Sequence, residues 1–419
     1  MTRARAPRAA LALAAAVLLA ACDGDAGPLD PARRVAPLEL ERAMAVGDGF
    51  AAGALDDALY ASAQRHSPLA ILLRRAAGVD EFAQPLIADP GFAIGDSGGR
   101  LSLVAFHPPR IERLPRGGPL VEPPPSGPYR NLGVPGALLV EALAVRSEAT
   151  SILGNPFYDL VLRDRGTFAQ QVAEADASLV LLWIGTSDVL SYVAVGGDPD
   201  LAPGLPTPGG TFAGIYERLL DAILETTDRV VLFTVPDVTL FPLVRTVQPF
   251  VPDPVTGERI APLIGPDGQN LDRSDLVTLD ALPLIAQGIG VPEGAGGTDE
   301  PLPGRVVLES GESALARTEI LRYNETIRRL AEERRLPLVD IHALVQRLAS
   351  DQGVLTDGIR LTTEWLVGQA FGLDGSHLTP KANGVVVNLV IDALNARYGS
   401  RIPHVRTADL PGLPLLRSD

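Results

Sequence analysis

Short apolar runs of strand length recur along the chain, at 43–47, 179–184, 230–235 and 336–341. A run without polar alternation has no face for water, so it suits a strand covered on both sides, as in a parallel sheet. Between these runs the apolar spacing changes to three and four. Phe212, Ile215, Tyr216, Leu219, Leu220 and Ile223 predict a helix over 212–226, and the pattern recurs over 315–335. Val385, Val386, Leu389, Val390 and Leu394 predict a closing amphipathic helix over 381–398. Strands alternating with helices predict an α/β fold, a three-layer α/β/α sandwich around a doubly wound parallel sheet. Two stretches rich in proline and glycine, 83–126 and 245–305, break the alternation. They are read as insertions in one domain spanning 38–400, with 401–419 as a C-terminal tail.

The pattern is different at the N-terminus. Arg3, Arg5 and Arg8 precede an unbroken apolar stretch over 9–21, which ends in small residues before Cys22. Positive charge, a short apolar stretch and small residues make residues 1–21 a signal peptide, too short to remain as a spanning helix. Leu19-Ala20-Ala21-Cys22 resembles a bacterial lipobox, which implies removal of the leader and lipidation of Cys22. Residues 22–37 lack periodicity and hold glycine and proline, as a tether does. The expectation is an exported lipoprotein of the cell membrane or outer membrane, facing the periplasm or the cell exterior and held through two or more acyl chains on Cys22.

Composition narrows the chemistry. The net charge of −15 over 419 residues becomes −18 without the three leader arginines, which argues against nucleic acid as a partner. Lys381 is the only lysine and Cys22 the only cysteine, so a serine–lysine pair, a disulfide framework and a thiolate metal cluster are all unsupported. No glycine-rich phosphate loop follows a strand, and no His, Cys or carboxylate spacing suggests a metal. We therefore expect neither metal nor cofactor.

Reactive groups in an open α/β sheet gather at the carboxyl ends of the strands. Four strings there stand in a telling order: Gly47-Asp48-Gly49-Phe50-Ala51-Ala52-Gly53, Asn131-Leu132-Gly133-Val134-Pro135-Gly136, Gly185-Thr186-Ser187-Asp188 and Asp374-Gly375-Ser376-His377. Together they resemble the four blocks of the SGNH, or GDSL, hydrolases, from about residue 43 to about 398. The resemblance implies a flavodoxin-like fold, with Asp374 and His377 as catalytic acid and base and Gly133 as an oxyanion donor. It also shows two departures. Gly49 stands where the family keeps its nucleophilic serine, leaving only a backbone amide there, and Ser187 stands where the family's asparagine supplies an oxyanion donor. In such a site histidine deprotonates the serine, aspartate orients the imidazole, and amides hold the developing oxyanion.

Gly95-Asp96-Ser97-Gly98-Gly99 imitates a protease nucleophile string but follows no strand of the sheet pattern, and is read as a glycine-rich turn. His66, His107, His342 and His404 receive no role. The expected function is that of a membrane-anchored family member without ordinary serine esterase activity, binding an ester, lipid or glycan ligand or serving as a scaffold of the cell envelope. The alternative is an active ester hydrolase that uses a substitute nucleophile, Ser97 or water activated by His377.

Overall fold

The computed structural model describes residues 38–413 apart from 95–97, 107–108 and 254. The leader, Cys22 and Ser97 therefore lie outside the described residues. From Glu39 onward the described chain forms one compact unit.

Its centre is a five-stranded parallel sheet made of β1 (Ala43–Gly47), β2 (Asn131–Gly133), β3 (Leu179–Trp183), β4 (Val230–Phe233) and β5 (Leu338–Val339), in the order β2-β1-β3-β4-β5. This is the doubly wound sheet expected of an α/β/α sandwich, and the apolar runs build it. Every residue of β1, β3 and β4 is buried. β1 sits between β2 and β3, with Gly47 level with Gly133 on one side and with Trp183 on the other. The strand reversal therefore falls at the carboxyl end of β1, where such sheets form a crevice.

Helices flank the sheet. Ahead of β3 lie α1 (Gly49–Ala52), α2 (Pro68–Ala77) and α3 (Phe168–Glu174). After β3 come α4 (Ser187–Ala194), α5 (Gly209–Leu224), α6 (Ser310–Glu333), α7 (Ile341–Leu348) and α8 (Pro380–Tyr398). α2 packs against α8, and α5 packs against both α3 and α6. Among the described residues no helix is long and apolar enough to cross a membrane.

Two sequence expectations change. The last apolar run shortens to a two-residue strand, because Asp340 turns the chain and caps α7 by accepting the Ala343 amide. The closing helix α8 is buried on every side over 382–387 rather than on one stripe, and exposes Asp392, Ala396 and Arg397 toward its end. The reason is the segment after it. Residues 402–410 lie along α8, with Asn388 and Asn395 bonding the backbone of Val405 and Ile402 and Lys381 donating to Leu410 O.

The two irregular stretches carry structure of their own. In the first, an antiparallel hairpin (Leu101–Phe106 with Pro109–Arg113) packs Leu101, Leu103 and Ile111 onto Leu366 and Leu373, just before Asp374. The second holds a separate apolar cluster that includes Leu263, Val277 and Leu302.

Candidate active site

The site is assembled from three strand ends and one loop. After β1, Asp48 caps α1 by accepting the Phe50 amide on Oδ1 at 3.1 Å. Its Oδ2 accepts the amides of Thr186 (3.0 Å) and Ser187 (3.3 Å), fastening the end of β1 to the start of α4. Burial pushes the Asp48 carboxyl up to about 6 against the lowering effect of these amides. Asp188 makes a second tie, accepting the Leu139 amide at 2.9 Å and the Thr207 hydroxyl at 2.6 Å.

Asp374 and His377 meet as a pair. Asp374 Oδ1 accepts the amides of Ser376 (2.9 Å) and His377 (3.0 Å), and Oδ2 lies 2.8 Å from His377 Nδ1. Burial alone would raise Asp374, but the His377 charge and these hydrogen bonds hold it below its ordinary value. Burial lowers His377 in the same way, and the charge and hydrogen bond of Asp374, with Asp57 and Asp48 beyond, outweigh it and raise the imidazole. Proton affinity is thus concentrated on the ring, as a base requires.

The other ring nitrogen faces Gly49. A Cβ built on Gly49 would lie 2.7 Å from His377 Nε2 and 3.3 Å from Cδ2. Gly49 is outside the left-handed region, so its backbone does not demand glycine. What is missing is room. The imidazole has settled into the space that a side chain at 49 would enter, and a serine would have to push it back against Asp374.

The other expected positions divide. Gly133 is buried at the end of β2, but its amide donates to Asn131 Oδ1 at 2.9 Å and is not free to hold an oxyanion. Its glycine has a packing cause instead, since a Cβ there would come within 2.2 Å of the Ala52 nitrogen in α1. Three residues later the Gly136 amide donates to no acceptor among the described residues, nor does the buried Gly49 amide. Ser187 Oγ likewise has no partner among them, in a residue that is 7% exposed.

Sequence reasoning passed over the acids behind Asp374. Asp56 and Asp57 both adopt left-handed backbone, with φ of 52° and 57°. The Asp57 amide donates to Asp374 Oδ2 at 2.7 Å, while its carboxylate pairs with Arg113 from the hairpin. Asp56 accepts from the Leu373 amide at 2.8 Å and from Tyr60. Adjacent aspartates in a loop carry no periodic signal, and only the fold brings them beneath the pair. The remaining described histidines lie elsewhere: His404 pairs with Asp392 on the surface, His66 Nδ1 lies 2.9 Å from Ser62 O, and the His342 amide donates to Thr234.

An acid–base pair at the strand reversal of a 2-1-3-4-5 sheet matches what the sequence strings imply. The family model described as GDSL-like Lipase/Acylhydrolase matches residues 46–390. The chain belongs to that family. No curated protein matches it. As a member of the GDSL-like family it has a hydrolase-type scaffold, and residues 46–390 take in all four blocks, the glycine at position 49 included.

Proposed function

We propose that this GDSL-family chain is a lipoprotein of the cell envelope that holds an acyl or ester ligand at the inherited site without running the serine esterase reaction. The observation that carries the reading is the approach of His377 Nε2 to Gly49: the nucleophile is absent, and the base occupies its space. Ser376 offers no substitute, because its hydroxyl lies 3.2 Å from Nδ1, on the wrong side of the ring. The unpartnered amide of Gly49 beneath the imidazole and the unpartnered Ser187 hydroxyl are donors suited to a carbonyl oxygen. We propose Gly136, in place of Gly133, as the second backbone donor.

A short alkyl methyl ketone, the carbonyl isostere of an ester, tests this by calorimetry on the purified full chain. Binding weakened about tenfold by Ser187→Ala is expected, the loss of roughly one hydrogen-bonded contact. No binding to either form would overturn the reading. The anchor is tested separately. Cys22→Ala is expected to move the protein from the membrane fraction to the soluble one, and an unchanged distribution would refute lipidation.

A further inference from the structure

The imidazole at the heart of the site has more than an orienting geometry. Nδ1 is engaged by Asp374 at 2.8 Å and Ser376 at 3.2 Å, whereas Nε2 bonds to nothing among the described residues, in a side chain that keeps 10% of its surface exposed. It stands over Gly49, beside a buried amide without an acceptor. In a serine hydrolase that nitrogen is directed at a hydroxyl. Here position 49 supplies no hydroxyl for it.

We infer that His377 is itself the acyl acceptor, so that activated acyl esters are captured covalently on Nε2 and released slowly by water. The inference rests on the ester-binding reading above and adds a reaction to it. Histidine is an established class of protein nucleophile, and fixing its ring by a carboxylate at the other nitrogen leaves the lone pair of Nε2 directed outward.

The step balances with water as the only co-reactant. The Nε2 lone pair forms a bond to the carbonyl carbon, and the bond from that carbon to the leaving oxygen breaks. The leaving group departs as an aryloxide and takes its proton from solvent. The ring, now an acylimidazolium that keeps its Nδ1 proton, is stabilised by the Asp374 carboxylate. Water then adds to the acyl carbon and gives one proton to solvent, the C–N bond breaks with its electron pair returning to Nε2, and the carboxylic acid leaves as neutral imidazole returns. The net change is ester plus water to acid plus alcohol.

The geometry also selects substrates. Neutral imidazole expels aryloxides, thiolates and acyl phosphates far better than alkoxides, so aryl esters and other activated acyl donors are the expected class, and simple alkyl esters are held unreacted.

The test is rapid mixing of the purified full chain with p-nitrophenyl acetate, followed by acid quench, intact mass measurement and peptide mapping. We expect a burst of about one p-nitrophenol per chain, the signature of an accumulating acyl-enzyme, with the acetyl group on His377. Both should vanish in His377→Gln, whose folding is verified by circular dichroism, and in Gly49→Ala, whose Cβ intrudes on Nε2. An acetyl group on Ser187 or any other serine would overturn the inference in favour of a substitute nucleophile. Steady release without a burst or adduct would overturn it in favour of His377-activated water. In both cases the ketone titration would still report binding, so loss of this inference and loss of the binding reading are distinguishable.

Discussion

At the residue scale, the decisive feature is how one missing side chain has been accommodated. Removing the hydroxymethyl of a serine would ordinarily leave a small void, and a void forfeits the contacts of the atoms around it. In this chain the void is closed by the imidazole, which stays bonded to Asp374 while Nε2 comes within 2.7 Å of where a Cβ would stand. The acids beneath hold it there: Asp57 donates its amide to Asp374, and Arg113 pairs with the Asp57 carboxylate. Gly49→Ser is thus a different experiment from restoring an atom to an empty space. The serine must displace a ring fixed through one nitrogen, so any esterase activity it creates is expected to be well below that of a site built around serine. Rates measured in Gly49→Ser alongside Gly49→Ala check this directly.

At the element scale, the close approach of β2 to α1 is the constraint on which the site depends. A Cβ on Gly133 would fall 2.2 Å from the Ala52 nitrogen and 2.5 Å from its Cα, against backbone that cannot rotate away. Gly133→Ala is expected to lower the unfolding free energy by about 1–3 kcal/mol, the usual range for overpacking, as read from the denaturation midpoint. Unchanged stability would show that β2 and α1 separate freely. The strands β1, β3 and β4 were legible because their apolar runs have no alternation, and α5, α6 and α8 because their spacing is helical. β2 was legible only through its string and not through an apolar pattern: three residues are too few for a period, and its place beside β1 rests on the register of Gly133 with Gly47. The pair Asp374–His377 and the glycine at 49 could be read from their strings. The engagement of Gly133 by Asn131, the free amide of Gly136 and the acids at 56 and 57 could not, since each depends on contacts between residues distant in sequence.

At the scale of the whole molecule, buried acids set the response to pH. Burial pushes the carboxyls of Asp48, Asp56 and Asp57 up to about 6 and that of Asp188 up to about 7. A raised carboxyl pKa means the folded state binds protons that the unfolded state has released, so stability falls as pH rises from about 4 toward 7. The net charge of −15 adds self-repulsion in the same direction. Thermal unfolding is therefore expected at a higher temperature at pH 5.5 than at pH 8. Asp374 works in the opposite sense: held below its ordinary value, it contributes stability that is lost as pH falls through its folded pKa, so unfolding should return in stronger acid. His377, raised by its partner, contributes stability present below its unfolded pKa and lost as pH climbs through the folded one. A melting temperature that rises steadily from pH 5.5 to 8 would contradict the assignment of these burials.

The central claim is that a glycine beneath the imidazole removes the serine route while leaving the acid–base pair in place. An alkyl fluorophosphonate, which phosphonylates an activated serine, tests it most directly when the purified full chain is treated and its peptides are mapped by mass spectrometry. No serine should be labelled in the natural chain, and Gly49→Ser should acquire label at position 49. Stoichiometric labelling of a serine in the natural chain would contradict the account.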